Sequence, residues 1–227
     1  YSGLTRIGPD SQPMPDLAKS WEGSPDATEF TFHLREGVTF HDGTPATSSD
    51  VVATYEAILN PDIPSSALSV LNMIDSVEAV DDLTVKFTLS SPFADFPTST
   101  AHANARIISE EALSGDLTKL DTVVNGTGPF KMESYDSARI TRLVRNDNYF
   151  SEGKPYLDAV EMHLFPDLAA ETTNFLSGDI DVMLLVQQAD YARISSTSGI
   201  NALRAERHSG IDANKFLGVS NWRQFSG

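Results

Sequence analysis

The hydrophobic period of this chain changes along its length, and that change limits its fold more than any other feature. Glu29-Phe30-Thr31-Phe32-His33-Leu34 alternates strictly. A period of two places Phe30, Phe32 and Leu34 on one face of a half-buried strand. Val51, Val52, Tyr55, Ile58 and Leu59 instead recur at the three-to-four spacing of a helix stripe. Strand patterns dominate ahead of Gly128, and a β-α-β-α-β order follows it. The chain is therefore expected to be α/β in the mixed α+β sense, with a mixed sheet and helices laid on it.

Turn residues set the ends of these elements. Pro9, Pro13, Pro15 and Pro25 keep the first 25 residues extended. Gly43 allows a turn at His41-Asp42-Gly43-Thr44-Pro45, after which Thr47, Ser48 and Ser49 offer caps for a helix that Pro61 stops. Residues 77–80 and 83–89 read as a hairpin around Asp81-Asp82, and residues 107–113 as a short helix ending at Gly115. Gly126-Thr127-Gly128-Pro129 leads into a second hairpin, residues 130–135 and 139–145. Val160, Met162 and Leu164 alternate in a strand, and residues 168–177 form a helix that ends at Gly178. Residues 180–186 are expected as a strand buried on both sides, residues 190–195 as helix and residues 200–205 as extended chain.

Charge and composition exclude several classes of function. Sixteen Lys and Arg against 32 Asp and Glu leave a formal charge of −16 over 227 residues. Such a field repels phosphate backbones and anionic lipid, which argues against nucleic-acid and membrane-surface binding. The chain has no cysteine, so disulfides, thiolate nucleophiles, Cys-ligated zinc and iron–sulfur clusters are ruled out. Its longest apolar run, Val182-Met183-Leu184-Leu185-Val186, falls far short of the roughly 18 residues of a membrane span. Tyr1-Ser2-Gly3-Leu4-Thr5-Arg6 has neither the basic nor the apolar region of a secretory signal, so any export signal is expected to have been removed or never to have been present.

Motifs of catalysis are equally sparse. His33, His41, His102, His163 and His208 are scattered and make no zinc-binding pair, so no metal site is expected. Gly126-x-Gly128 lacks the third glycine of a dinucleotide fingerprint, and Pro129 removes a donor that a phosphate loop needs. A G-x-S-x-G elbow is absent, and no cofactor is implied. Asp81-Asp82, Glu110-Glu111 and the Asp179, Asp181 pair leave a carboxylate-dependent hydrolase open, although solvated charge accounts for each of them. Asn125-Gly126-Thr127 matches a glycosylation sequon, a weak signal when it occurs once.

A longer set of motifs carries a specific resemblance. Tyr1-Ser2-Gly3-Leu4 is followed by Met14-Pro15-Asp16-Leu17-Ala18-Lys19-Ser20-Trp21 and by Phe30-Thr31-Phe32-His33-Leu34-Arg35-Glu36-Gly37-Val38-Thr39-Phe40-His41-Asp42-Gly43-Thr44-Pro45. Asp50-Val51-Val52, Asn125-Gly126-Thr127-Gly128-Pro129-Phe130, Arg145-Asn146-Asp147-Asn148-Tyr149-Phe150 and Ser177-Gly178-Asp179-Ile180-Asp181 come next, in that order. Together they resemble the extracytoplasmic solute-binding proteins of ABC importers, in the peptide/nickel class called family 5. By themselves the residues read as architecture: Trp21 and Phe40 as core anchors, Gly37 and Gly43 as turn residues, Arg35 as a partner for nearby acids, and Pro129 as a fixed entry to its hairpin.

The resemblance implies a periplasmic-binding-protein type II-like clamp of two lobes that closes on its ligand. Residues 1–8 and 111–210 would build a discontinuous first lobe, residues 9–110 an inserted β-rich subdomain, and residues 211–227 the remnant of the start of a second lobe that is largely missing. Family members are longer, and a stretch is expected to be absent at the join after Gly210. The implied ligand-binding residues are Tyr1, Ser2, Gly3, His102, Asn104, Arg106, Gln187 and Gln188, with His102 and Arg106 placed to meet an anionic group. The implied function is capture of a small solute, a short peptide foremost, for delivery to a membrane permease by a monomeric, exported protein outside the cytoplasm. Opines, oligosaccharides, nickel complexes and haem are also ligands within the family. A truncated paralogue serving as a sensor partner is the further alternative.

Overall fold

The computed structural model describes residues 1–121, 124–184, 186–204 and 217–220. They fall into two compact units, Tyr1–Asp136 with Thr141–Met162, and Ser137–Ile140 with His163–Gly227. Residues 1–8 and 9–110 thus share one unit. Of the expected second-lobe remnant, only Leu217–Ser220 is among the described residues.

The first unit opens with β1 (Thr5–Ile7) paired antiparallel to β2 (Pro13–Pro15). Next come β3 (Ala18–Gly23), β4 (Glu29–Leu34), α1 (Ser48–Leu59), α2 (Leu68–Leu71), β5 (Ile74–Asp81) and β6 (Thr84–Leu89). An antiparallel sheet of order β3-β4-β6-β5 results. The expected alternation holds: Phe30, Phe32 and Leu34 of β4 are buried, as are Val85, Phe87 and Leu89 of β6. Register places Phe30 opposite Phe87 and Phe32 opposite Val85, which gathers the aromatic side chains on one face.

Helix α1 brings the fully buried Tyr55 to that face, edge-on to Phe87 at 4.8 Å between ring centroids. Phe32 meets Phe87 at 5.5 Å, and Phe96, in α3 (Phe96–Ser99), meets Phe87 at 5.2 Å. Each buried ring contributes roughly 2 kcal/mol of transfer free energy. Trp21 is half-buried and stacks on Phe32, while Phe40 is fully in the core, so both serve as the anchors expected. Gly37 and Gly43 adopt φ of 72° and 94°, the left-handed turn conformation glycine favours.

Local chemistry fixes the helix ends. The Thr47 N–H donates to Asp50 Oδ2 at 2.8 Å at the start of α1, and Asn60 turns extended ahead of Pro61. Helix α4 (Glu110–Ser114) begins later than expected, because Ser109 caps it by accepting the Ala112 N–H, while the Ile107 N–H donates to the Ser2 carbonyl instead. A 3₁₀ turn, Leu117–Asp121, follows. Strands β7 (Phe130–Asp136), β8 (Ile140–Arg145) and β9 (Ala159–His163) form a three-stranded sheet. Met162 and Leu164 are exposed, and β9 stops before Leu164. Arg35 also differs from expectation. Its Nε donates to the Asp16 carbonyl at 2.7 Å and its guanidinium lies 5.3 Å from the Phe150 ring, so a backbone oxygen and a π face replace the expected acidic partners.

In the second unit, α5 (Leu168–Ser177) starts at Asp167, whose Oδ1 accepts the Ala170 N–H at 2.7 Å, and ends at Gly178 with φ of 84°. The expected two-sided strand reduces to β10 (Val182–Met183), in which Met183 is buried and Val182 exposed. Leu184 is exposed too, so the run is apolar on both faces in composition but buried on one. Helix α6 (Gln188–Ser195) follows, then β11 (Asn201–Arg204) and β12 (Leu217–Ser220), with sheet order β10-β12-β11. Phe175, Met183, Val186 and Ile194 form this unit's core.

Candidate functional site

Three motifs that lie far apart in sequence meet in the first unit. The His41 N–H donates to the Gly126 carbonyl at 2.9 Å, and His41 Nε2 lies 3.0 Å from the Gly128 carbonyl. The Gly126 N–H points back at His41 Nδ1 from 3.5 Å. A carbonyl only accepts and an amide only donates, so the ring is neutral with its proton on Nε2. Burial pushes the His41 pKa down, against the bond to Gly128. Beside it, Asp42 and Asn125 exchange two bonds: Asp42 N–H to Asn125 Oδ1 at 3.2 Å, and Asn125 Nδ2 to Asp42 Oδ2 at 2.6 Å. Asn146 completes the junction, its Nδ2 donating to the Gly128 carbonyl at 3.0 Å and its N–H to the Pro129 carbonyl at 2.9 Å.

The two glycines of the Gly126-Thr127-Gly128 turn have a steric purpose. A Cβ on Gly126 would fall 2.8 Å from Tyr1 Cδ1, and one on Gly128 would fall 2.6 Å from the Tyr1 nitrogen. Their absence of side chain lets the Tyr1-Ser2-Gly3 segment lie directly against this turn.

The structure brings some of the expected site residues together. Ser2 and Gly3 are buried. The Ser2 carbonyl accepts the Ile107 N–H at 2.9 Å, the Gly3 carbonyl accepts the Leu17 N–H at 3.0 Å, and the Gly3 N–H donates to Asp16 Oδ2 at 3.0 Å. Tyr1 remains exposed, and burial of part of its ring pushes the phenol pKa up, against the backbone of Asn125. Arg106 lies over Gly3, its Nη1 3.7 Å from Asp16 Oδ2. His102 is half-buried and its Nδ1 accepts the Asn104 N–H at 3.2 Å, while the exposed Asn104 side chain donates to Ser66 Oγ. Gln187 and Gln188 belong to the second unit, both exposed, with Gln187 at the N-cap of α6. Asp16 was not among the expected site residues. Its position in Met14-Pro15-Asp16-Leu17 gave no periodic or chemical signal; its burial and its partners come from chain segments far off in sequence.

An open cleft of about 350 Å³ lies in the same unit, lined by Tyr1, Asp42, Glu111, Asp116, Lys119 and Asn125 among others. Most of its polar groups are committed within the protein. Asp42 Oδ1 accepts the Thr44 N–H and hydroxyl, and Asp116 Oδ1 accepts those of Thr118. Partial burial would raise the Asp42 pKa, but the Thr44 and Asn125 bonds outweigh it and hold the carboxyl low. Among the described residues, no group of three or more His, Asp or Glu side chains is disposed to hold a metal ion.

Comparison with known proteins agrees with this architecture. The family model described as bacterial extracellular solute-binding proteins, family 5 Middle, matches residues 12–216. The glutathione-binding protein GsiB of Pectobacterium atrosepticum is 34% identical over 160 residues, which cover 70% of this chain and 31% of that protein. The dipeptide-binding protein of Escherichia coli is 31% identical over 212 residues, covering 84% of this chain and 39% of that one. Among solved structures, the binding protein AgaA of Agrobacterium tumefaciens R10, in complex with agropinic acid, superposes with a TM-score of 0.83 at 36% identity, covering 90% of this chain and 41% of that one. The chain thus spans between about a third and two fifths of the length of these relatives. It belongs to the family 5 bacterial extracellular solute-binding proteins.

Proposed function

We propose that this protein captures a short peptide outside the cytoplasm and hands it, as a monomer, to the membrane permease of an ABC import system. The family match over residues 12–216 carries this reading, and the glutathione- and dipeptide-binding relatives favour a peptide as the solute. Residues 1–8 and 111–210 are assigned to a first lobe and residues 9–110 to its inserted subdomain. Tyr1, His102, Asn104 and Arg106 keep accessible surface and are the side chains assigned to the ligand, with Ser2 and Gly3 as the buried backbone floor beneath them. Gln187 and Gln188 are assigned as further ligand contacts. Peptide sites in proteins rely on backbone-like hydrogen bonds and hydrated side-chain pockets, which such polar, partly accessible groups can supply.

The test is mass spectrometry of the solute that accompanies the intact protein through native purification, paired with melting curves in added di- and tripeptides. The expected result is a bound peptide and a higher melting temperature, corresponding to about 2.7 kcal/mol of stabilisation at a hundredfold excess over Kd. A co-purified opine, sugar or metal complex, with no peptide response, would replace the peptide by that solute class. Release of free amino acids from the added peptides would favour the hydrolase. A protein that binds none of these solutes would favour the sensor paralogue.

A further inference from the structure

Beneath the Tyr1-Ser2-Gly3 segment lies a carboxylate to which the proposed function gives no task. Asp16 follows β2 and is 7% exposed. Its Oδ2 accepts the Gly3 N–H at 3.0 Å and lies 3.7 Å from Arg106 Nη1. A Cβ on Gly3 would fall 2.9 Å from the same Nη1, so the guanidinium rests directly on the Gly3 backbone. Arg106 keeps 32% of its side-chain surface against 10% for Asp16, so the acid is the inner member of the pair and the cation the outer one. At 3.7 Å the contact balances charge but is too long for a hydrogen bond, so Asp16 takes up none of the guanidinium donors.

Two physical consequences follow for anything that reaches Arg106 from outside. The pair has no net charge, and a second carboxylate placed on Arg106 would meet the buried Asp16 charge behind it, where weak screening makes like charges repel strongly. Among the described residues no hydrogen bond takes up the donors of Arg106, and a guanidinium has five. An uncharged acceptor such as an amide carbonyl can take them without that repulsion. On balance burial pushes the Asp16 carboxyl up; the Gly3 N–H, Arg106 and Arg6 oppose that push without cancelling it, and Arg6 adds a more distant positive charge of its own. Tyr149 also lies within the field of Asp16.

We infer that Asp16 is a specificity-determining residue, which neutralises Arg106 so that this part of the site takes an uncharged hydrogen-bond acceptor and refuses a carboxylate. This rests on the assignment of Arg106 to the ligand under the proposed function. It also reverses the expectation that Arg106 meets an anionic group.

Two measurements on the intact protein test it. The first needs no ligand: phenylglyoxal labelling of Arg106, with Arg193 as internal reference, in wild type and Asp16→Asn. Labelling should be several-fold faster in the variant, and equal rates would overturn the neutralisation. The second compares affinities for trialanine and trialanine amide. The acid-to-amide ratio should be the same in wild type and Arg106→Gln, should move about tenfold toward the acid in Asp16→Asn, and should return in the double variant. A ratio unmoved by Asp16→Asn, or a wild-type preference for the acid that Arg106→Gln abolishes, would overturn the inference. Asp16→Asn keeps an oxygen for the Gly3 N–H; should it still unfold, the wild-type and Arg106→Gln ratios decide. If neither probe binds wild type, the peptide assignment fails and the labelling result stands on its own.

Discussion

Phe32 in the first unit and Phe175 in the second are both fully inaccessible, yet they belong to very different cores. Phe32 lies in a buried apolar cluster that runs in sequence from Leu4 to Ile107 and joins strands, helices and loops. Phe175 shares its cluster with Met183, Val186 and Ile194. The smaller core has the sharper local signals, with Asp167 capping α5 and Gly178 ending it in a left-handed turn. The larger core has an antiparallel sheet whose register stacks aromatic rings beneath a helix. Local chemistry therefore fixes where an element starts and stops, while pairing across long sequence distances decides how much apolar surface it can bury.

Removing the two rings is the strongest way to break this contrast. Phe32→Ala should lower the unfolding free energy by about 4 kcal/mol, read from the urea midpoint, because Phe87 and Phe96 are too constrained to fill the space. Phe175→Ala should cost less, about 3 kcal/mol, with faster hydrogen exchange confined to residues 168–204. Equal losses, or faster exchange that spreads into β4 and β6, would contradict the comparison. Asp167→Ala should cost about 1 kcal/mol and loosen the amides at the first turn of α5. The smallest effect is a pH dependence confined to the first unit. His41 binds a proton less readily folded than unfolded, so its contribution is complete above the unfolded value of 6.5 and is lost as pH falls below it. His41→Gln should remove that share of acid sensitivity from melting temperatures measured on either side of this value.

Much of the first unit was legible in the sequence, because β4 and the Asp81-Asp82 hairpin depend on a period and a turn that neighbouring residues set. The ends of α5 were legible for the same reason. The 180–186 run was misread because composition gives apolarity but not the face that becomes covered, and here Met183 and Val186 are buried while Val182 and Leu184 are not. At α4 the local Ser109 cap is joined by a contact that no local pattern shows, the Ile107 N–H bonding to Ser2 more than a hundred residues away. The family motifs mark the segments involved, yet the meeting of His41, Gly126, Gly128 and Asn146 is a product of the fold, with no spacing rule to announce it. Asp16 escaped for the same reason, since a buried acid and an exposed one look alike in a sequence.

The junction around Gly126 and Gly128 sets main-chain oxygens and amides of the turn against two side chains, His41 and Asn146. A latch of that kind depends on the path of the peptide chain and on those two side chains to close it. Neighbouring positions can then be repainted while the framework that presents them keeps its shape.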